Sequence, residues 1–136
     1  MKVQSKFEEF ERKVIEKLLN GEDNILKTLR NQYRKANIKN REFSGSGFFT
    51  TFDVPDDATR LEILKSFHFG DVLGQCDGVK DGIGFVLFIK NGAMNCLEGY
   101  TYGDDKWPET LENYQLSYSS GAKRDLDKLR EKWGLV

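Results

Sequence analysis

The chain has a single histidine, His68, set between Phe67 and Phe69 in a stretch of strand-like alternation. An imidazole there has the chemistry of a general base or a metal ligand. It lacks the company either role needs: no Ser or Cys stands in a nucleophile elbow, and no Asp or Glu is spaced as a triad partner. Glu98 is the second candidate. Alternation sets it on one strand face with Met94, Cys96, Tyr100 and Tyr102, and a carboxylate among apolar and aromatic groups is partly desolvated, as a general acid should be. The same surroundings suit a carboxylate that accepts from a tyrosine hydroxyl or from backbone N–H near Gly99. A structural or surface role is therefore the expectation for both residues, and a small enzyme using Glu98 and His68 ranks last of three functions.

Metal and cofactor chemistry find less support still. Cys76 and Cys96 with one distant histidine do not make the four-ligand set of a structural zinc site, so both cysteines are expected as reduced residues of the interior and no metal is expected. Gly78, Gly82 and Gly84 precede a strand, whereas a phosphate-cradling loop opens a helix, and no Gly-Lys-Ser/Thr follows. They read as turn glycines, and no cofactor is expected.

Binding chemistry is better represented. The formal charge of -1 conceals an uneven distribution: Met1 to Arg41 carries eleven Lys/Arg against six Asp/Glu, and Glu42 to Gln115 carries five against thirteen. Within the basic part, Lys27, Arg30 and Arg34 project away from the apolar stripe of Ile25, Leu26, Leu29 and Tyr33, which is a possible seat for an anion or a nucleic acid. No aromatic lies among them for base stacking. Within the acidic part, Tyr100, Tyr102 and Trp107 lie close in sequence to Asp104, Asp105 and Glu109. Aromatic anchors inside an acidic rim have the composition of a protein interface.

The elements that must position these residues follow from periodicity. Phe7, Phe10, Val14 and Leu18 recur at helical spacing, which predicts an amphipathic helix of about four turns closed by Asn20 and Gly21. Asp23 or Asn24 caps a second helix from about Ile25 to Ala36. Beyond Asn37 the period becomes that of strands, predicted over Ile38 to Ser44, Phe48 to Val54, Ser66 to Cys76, Ile83 to Lys90, Ala93 to Tyr102 and Tyr114 to Ser119. Asn91-Gly92 accepts the positive φ values of a type I′ turn, so its flanking strands form a hairpin. Ile83 to Ile89 is apolar at both parities and is expected to be central and covered on both faces. Ala122, Leu126, Leu129 and Trp133 predict a last helix from about Ala122 to Trp133, capped by Ser119 or Ser120. The expected architecture is α+β in one domain over 1–136: a mainly antiparallel sheet of five or six strands, packed by an N-terminal helical hairpin and a C-terminal helix.

Several of these segments form a pattern. Gly47-Phe48-Phe49-Thr50-Thr51-Phe52 with Val54-Pro55, then Gly84-Phe85-Val86-Leu87-Phe88, then Leu97-Glu98-Gly99-Tyr100-Thr101-Tyr102-Gly103 with Trp107-Pro108, resemble a group of small bacterial proteins of unassigned function. The resemblance spans roughly residues 14 to 110, and it implies a bacterial source without implying a chemistry.

The longest apolar run, Phe85 to Ile89, is far short of the roughly 20 residues that cross a bilayer, and Met1 to Phe10 has no apolar signal region. No membrane association and a cytoplasmic location are the expectations. The leading function is a non-catalytic module that binds another protein, of basic character, through the acidic and aromatic surface; an immunity or antitoxin-like role is one version. Anion or nucleic-acid binding by the second helix comes next.

Overall fold

The computed structural model of the chain describes residues 2–63 and 65–134. Two helices, α1 (Lys2–Leu18) and α2 (Asn24–Lys35), precede seven strands: β1 (Asn37–Ser44), β2 (Gly47–Asp53), β3 (Phe67–Phe69), β4 (Val72–Cys76), β5 (Ile83–Lys90), β6 (Ala93–Thr101) and β7 (Tyr114–Tyr118). Helix α3 (Leu126–Trp133) follows. The strands form one antiparallel sheet in the order β1-β2-β6-β5-β4-β7, with β3 beside β5. The fold is α+β, as the periodicities predict. No helix of the described residues is long and apolar enough to cross a membrane.

All three helices pack on one face of the sheet, called here the inner face. The predicted stripe of α1 is buried there: Phe10, Val14, Ile15 and Leu18 are fully inaccessible beside Phe48, Phe85, Leu87 and Leu97 of the strands. The last carbonyls of a helix have no partner within it and carry its negative end. At the end of α1, and in the three residues that follow it, carbonyls are met from other parts of the chain. Arg30 Nη1 donates to the carbonyls of Leu19 and Gly21, Arg124 to that of Asn20, and the Tyr118 hydroxyl to that of Lys17. Asp23 caps α2 by accepting from the Ile25 N–H at 2.8 Å, and it is also paired with Arg130.

Asn91 and Gly92 have φ values of 52° and 77°, as a type I′ turn requires. The turn is fastened from below by Gln32, which is wholly buried in α2. Its Nε2 donates to the carbonyls of Gly92 and Thr59, and its Oε1 accepts from the Met94 N–H, all at 2.9 Å. Every polar atom of this amide is thereby used, which is the condition for burying it.

Four expectations need correction. The strand expected from Ser66 to Cys76 is divided: three residues, Gly70 to Val72, stand opposite two, Phe85 and Val86. The extra residue reverses the parity, so Val72 is buried with Phe69 and does not share the face of His68. A second bulge at Asn95, between the pairs Phe88↔Cys96 and Ile89↔Met94, turns Met94 into the core and away from Glu98. Strand β5 is central, but only its inner face is covered; Val86 and Phe88 on the outer face are half-exposed. Helix α3 starts at Leu126 with Asp125 as its cap, because Ser119 to Gly121 first form a turn closed by Tyr118 and Gly121.

Candidate functional site

Among the described residues no helix lies on the outer face of the sheet, and the ladders place its side chains in rows. One row reads Glu42, Phe49, Glu98, Val86 across β1, β2, β6 and β5; the next reads Asn40, Thr51, Cys96, Phe88 and His68. Burial pushes the Cys96 thiol up, and the Glu98 and Glu42 carboxylates add to the rise against a hydrogen bond with Thr51. The thiol is therefore not an activated nucleophile. Further along, Tyr100 and Tyr102 meet edge to face at 5.4 Å over Gly84. A Cβ on Gly84 would lie 2.6 Å from the Tyr102 hydroxyl, so only glycine lets the two rings cross there. Burial first, and then the Tyr100 hydroxyl, push Tyr102 up to about 12.

On the inner side of β1 lies a groove of about 730 Å³. Phe7 of α1, Ile38 and Phe43 of β1, and Trp107, Pro108 and Leu111 supply its apolar surface, with Lys6, Lys39, Glu109 and Glu112 at its rim. Its size falls within the range of ligand and peptide sites. Arg41 borders it with its charge already engaged: Nη2 and Nε lie 2.7 and 3.1 Å from the Glu11 carboxylate, and Nη1 lies 3.7 Å from that of Glu8. Thr50 donates its hydroxyl to Glu11 as well. The hydrogen bond to Glu11 raises the pKa of Arg41 further above its ordinary value. Lys6 is likewise joined to Glu112 at 2.6 Å. What the groove offers an incoming group is mostly apolar surface.

Among the described residues, three large hydrophobic side chains are exposed: Ile38 at 41%, Phe43 at 58% and Phe49 at 43%. All three belong to the β1–β2 hairpin. Ile38 and Phe43 are an odd number of residues apart, so a regular strand would send them to opposite faces. The bulge between Ile38 and Asn40 brings both to the inner side, opposite Phe52 and Phe48. Phe49 occupies the outer side.

The residues singled out from sequence are divided by this geometry. Glu98, Tyr100, Tyr102 and His68 share the outer face. His68 is exposed and faces Phe88, 5.5 Å between rings, and no hydrogen bond joins it to Glu98 among the described residues. Trp107 and Glu109 belong instead to the groove, where the Trp107 ring packs at 5.1 Å on Phe48 and 6.1 Å on Phe10. Asp104 is exposed in the loop that leads from β6 to Trp107. Asp105 holds that loop together: its carboxylate accepts from the Lys80 N–H and its carbonyl accepts from Thr101 Oγ1, both at 2.6 Å. The six binding candidates thus do not form one rim. On the basic side, Lys27 and Arg34 are exposed, but Arg30 is spent on the end of α1, so the three cations do not make an anion seat. Among the described residues no group of three His, Cys, Asp or Glu side chains could hold a metal ion.

The sequence reading missed Ile38, Phe43, Phe49, Glu11 and Arg41. One signal was legible: Glu11 lies four residues after Phe7, on the apolar stripe of α1, and a carboxylate placed there requires a buried partner. No family model, no curated protein and no solved structure matches the chain.

Proposed function

We propose that the chain is a non-catalytic module that binds another protein, and that it does so along β1 and the two adjoining faces of the β1–β2 hairpin. One observation carries this reading: Ile38, Phe43 and Phe49, the exposed large hydrophobic side chains of the described residues, all lie on this hairpin, Ile38 and Phe43 lining the groove and Phe49 on the opposite face. Exposed large apolar side chains gathered on one element and flanked by polar groups mark an interaction site. The outer face carries Glu42, Asp53 and Glu98 against Lys90, so the favoured partner is basic, of the kind an immunity or antitoxin-like protein neutralises. The bacterial source and the cytoplasmic setting belong to the same proposal.

The test is photo-crosslinking in the source cells, with a photoreactive phenylalanine analogue replacing Phe43 or Phe49. A discrete adduct with one other protein is expected from both positions and not from Lys27 on α2. Adducts from position 27 alone would move the site to the basic helix.

A further inference from the structure

We infer that the partner engages as an extended segment, added as a strand to the free edge of β1, with apolar residues alternating with Lys or Arg; this rests on the protein-binding reading above. Strand β1 ends the sheet, so one of its edges has no strand beside it among the described residues. Which of its backbone groups lie on that edge follows from the next ladder. Thr101 donates its N–H to the Ser46 carbonyl at 2.9 Å, so Ser46, and by alternation Phe48 and Thr50, direct their backbone bonds toward β6. Gly47, Phe49 and Thr51 then serve β1, where they pair with Ser44, Glu42 and Asn40. Arg41 and Phe43 are left with N–H and C=O directed outward, and no other backbone hydrogen bond engages either among the described residues.

The two sides of this edge set the chemistry of the added strand. Side chains alternate between faces with a period of two. Those on the inner side would lie beside Phe43 and Ile38 over the groove, which suits Val, Ile, Leu or Phe. Those on the outer side would lie beside Glu42, with Phe49 and Glu98 next in the row, which suits a cation on an aliphatic stem. A second copy of this chain is disfavoured in the registers centred on Glu42 and Arg41 and is left the one centred on Phe43, which sedimentation tests. A two-fold axis through Glu42 sets that carboxylate against its own copy, and one through Arg41 opposes two guanidinium groups.

The probe is a blocked heptapeptide alternating Lys and Val, with a Glu and Val counterpart, added to the isotope-labelled full chain while amide exchange is followed by NMR. The Lys/Val peptide is expected to slow exchange at Arg41 and Phe43 by roughly tenfold or more, leaving Glu42 and Ser44, already bonded within the hairpin, nearly unchanged. Glu42→Lys is expected to weaken it roughly tenfold at low salt and little at high salt. Phe43→Pro removes an outward donor without touching the ladder to β2, so it should abolish protection at Arg41 while thermal unfolding is nearly unaltered; Phe43→Leu should retain it. The inference is overturned if the Glu/Val peptide protects equally well, if protection appears elsewhere, or if sedimentation shows a dimer that Phe43→Pro dissolves. An edge that no peptide protects, in a chain whose positions 43 and 49 still crosslink to a partner, overturns the strand mode and leaves the protein-binding reading intact.

Discussion

The strand order ends in β1 on one side and β7 on the other, and these two edges are built differently. Strand β7 is five residues long, its inward Tyr118 is buried, and the chain turns back on it at once through the Tyr118–Gly121 pair. Arg124 then crosses to Asp71, just before β4, where its Nε and Nη2 hold both carboxylate oxygens at 2.8 Å, and Ser119 N–H binds the Asp71 carbonyl. Strand β1 is eight residues long and exposed along nearly its whole length. Its protection is confined to one end, where the bulge and Lys39 interrupt regular pairing; from Arg41 to Ser44 the edge is open. Unmanaged edges invite pairing with other chains, and proteins ordinarily shorten, cover or charge them. The contrast teaches that the closed edge belongs to the stability of the fold, whereas the open one is free to serve recognition.

The largest effect that would test this contrast is at the closed edge. The Arg124 side chain is 5% exposed, so Arg124→Ala leaves Asp71 without its buried partner and the Asn20 carbonyl without a donor. A loss of about 3–5 kcal/mol in urea unfolding is expected. A loss below about 1 kcal/mol would mean that β7 is no better secured than β1.

At the open edge the expected order of effects reverses. Phe43→Ser removes a ring that is more than half exposed, so stability should fall by less than about 1 kcal/mol. Protection of the Arg41 amide by the Lys/Val peptide should nevertheless disappear. A stability loss as large as that of Arg124→Ala would make Phe43 a core residue and undo the distinction.

The smallest effect concerns the interior behind the open edge, where Tyr33 stacks edge to face on Phe52 at 6.3 Å. Burial, followed by the Glu11 carboxylate, pushes its phenol from 10.0 up to about 12. The folded state therefore favours the protonated form. This contribution is complete below pH 10 and is lost as pH rises from 10 to 12. Tyr33→Phe should flatten the decline of the melting temperature across that window, leaving the part due to Tyr102. An identical decline in both proteins would show that Tyr33 is solvated.

Much of the fold was legible in the residues. The α1 stripe, the Asp23 cap, the Asn91-Gly92 turn and most strand boundaries follow from local preferences that act over a few residues. The two long-strand expectations that failed did so at Gly70 to Val72 and at Asn95. There one extra residue changes the parity of all that follows, and no local preference marks the place. The candidate surface was legible only in fragments. Tyr100, Tyr102 and Glu98 were correctly set on one strand face, but nearness in sequence to Trp107 suggested a single rim that the sheet divides between its two faces.

The sequence by itself determined where most of the helices and strands lie, where the Asn91-Gly92 turn falls, and that an uneven charge accompanies a surplus of aromatics, because periodicity, capping and positive φ are properties of short segments. Only the tertiary structure decided which sheet edge stays open, that a bulge brings Ile38 and Phe43 to the same side, that Glu11 finds Arg41 and Thr50, and that Arg30 closes α1 and so does not reach an anion. Each of these depends on which strand pairs with which and in what register, a competition among distant segments that no short stretch of residues contains.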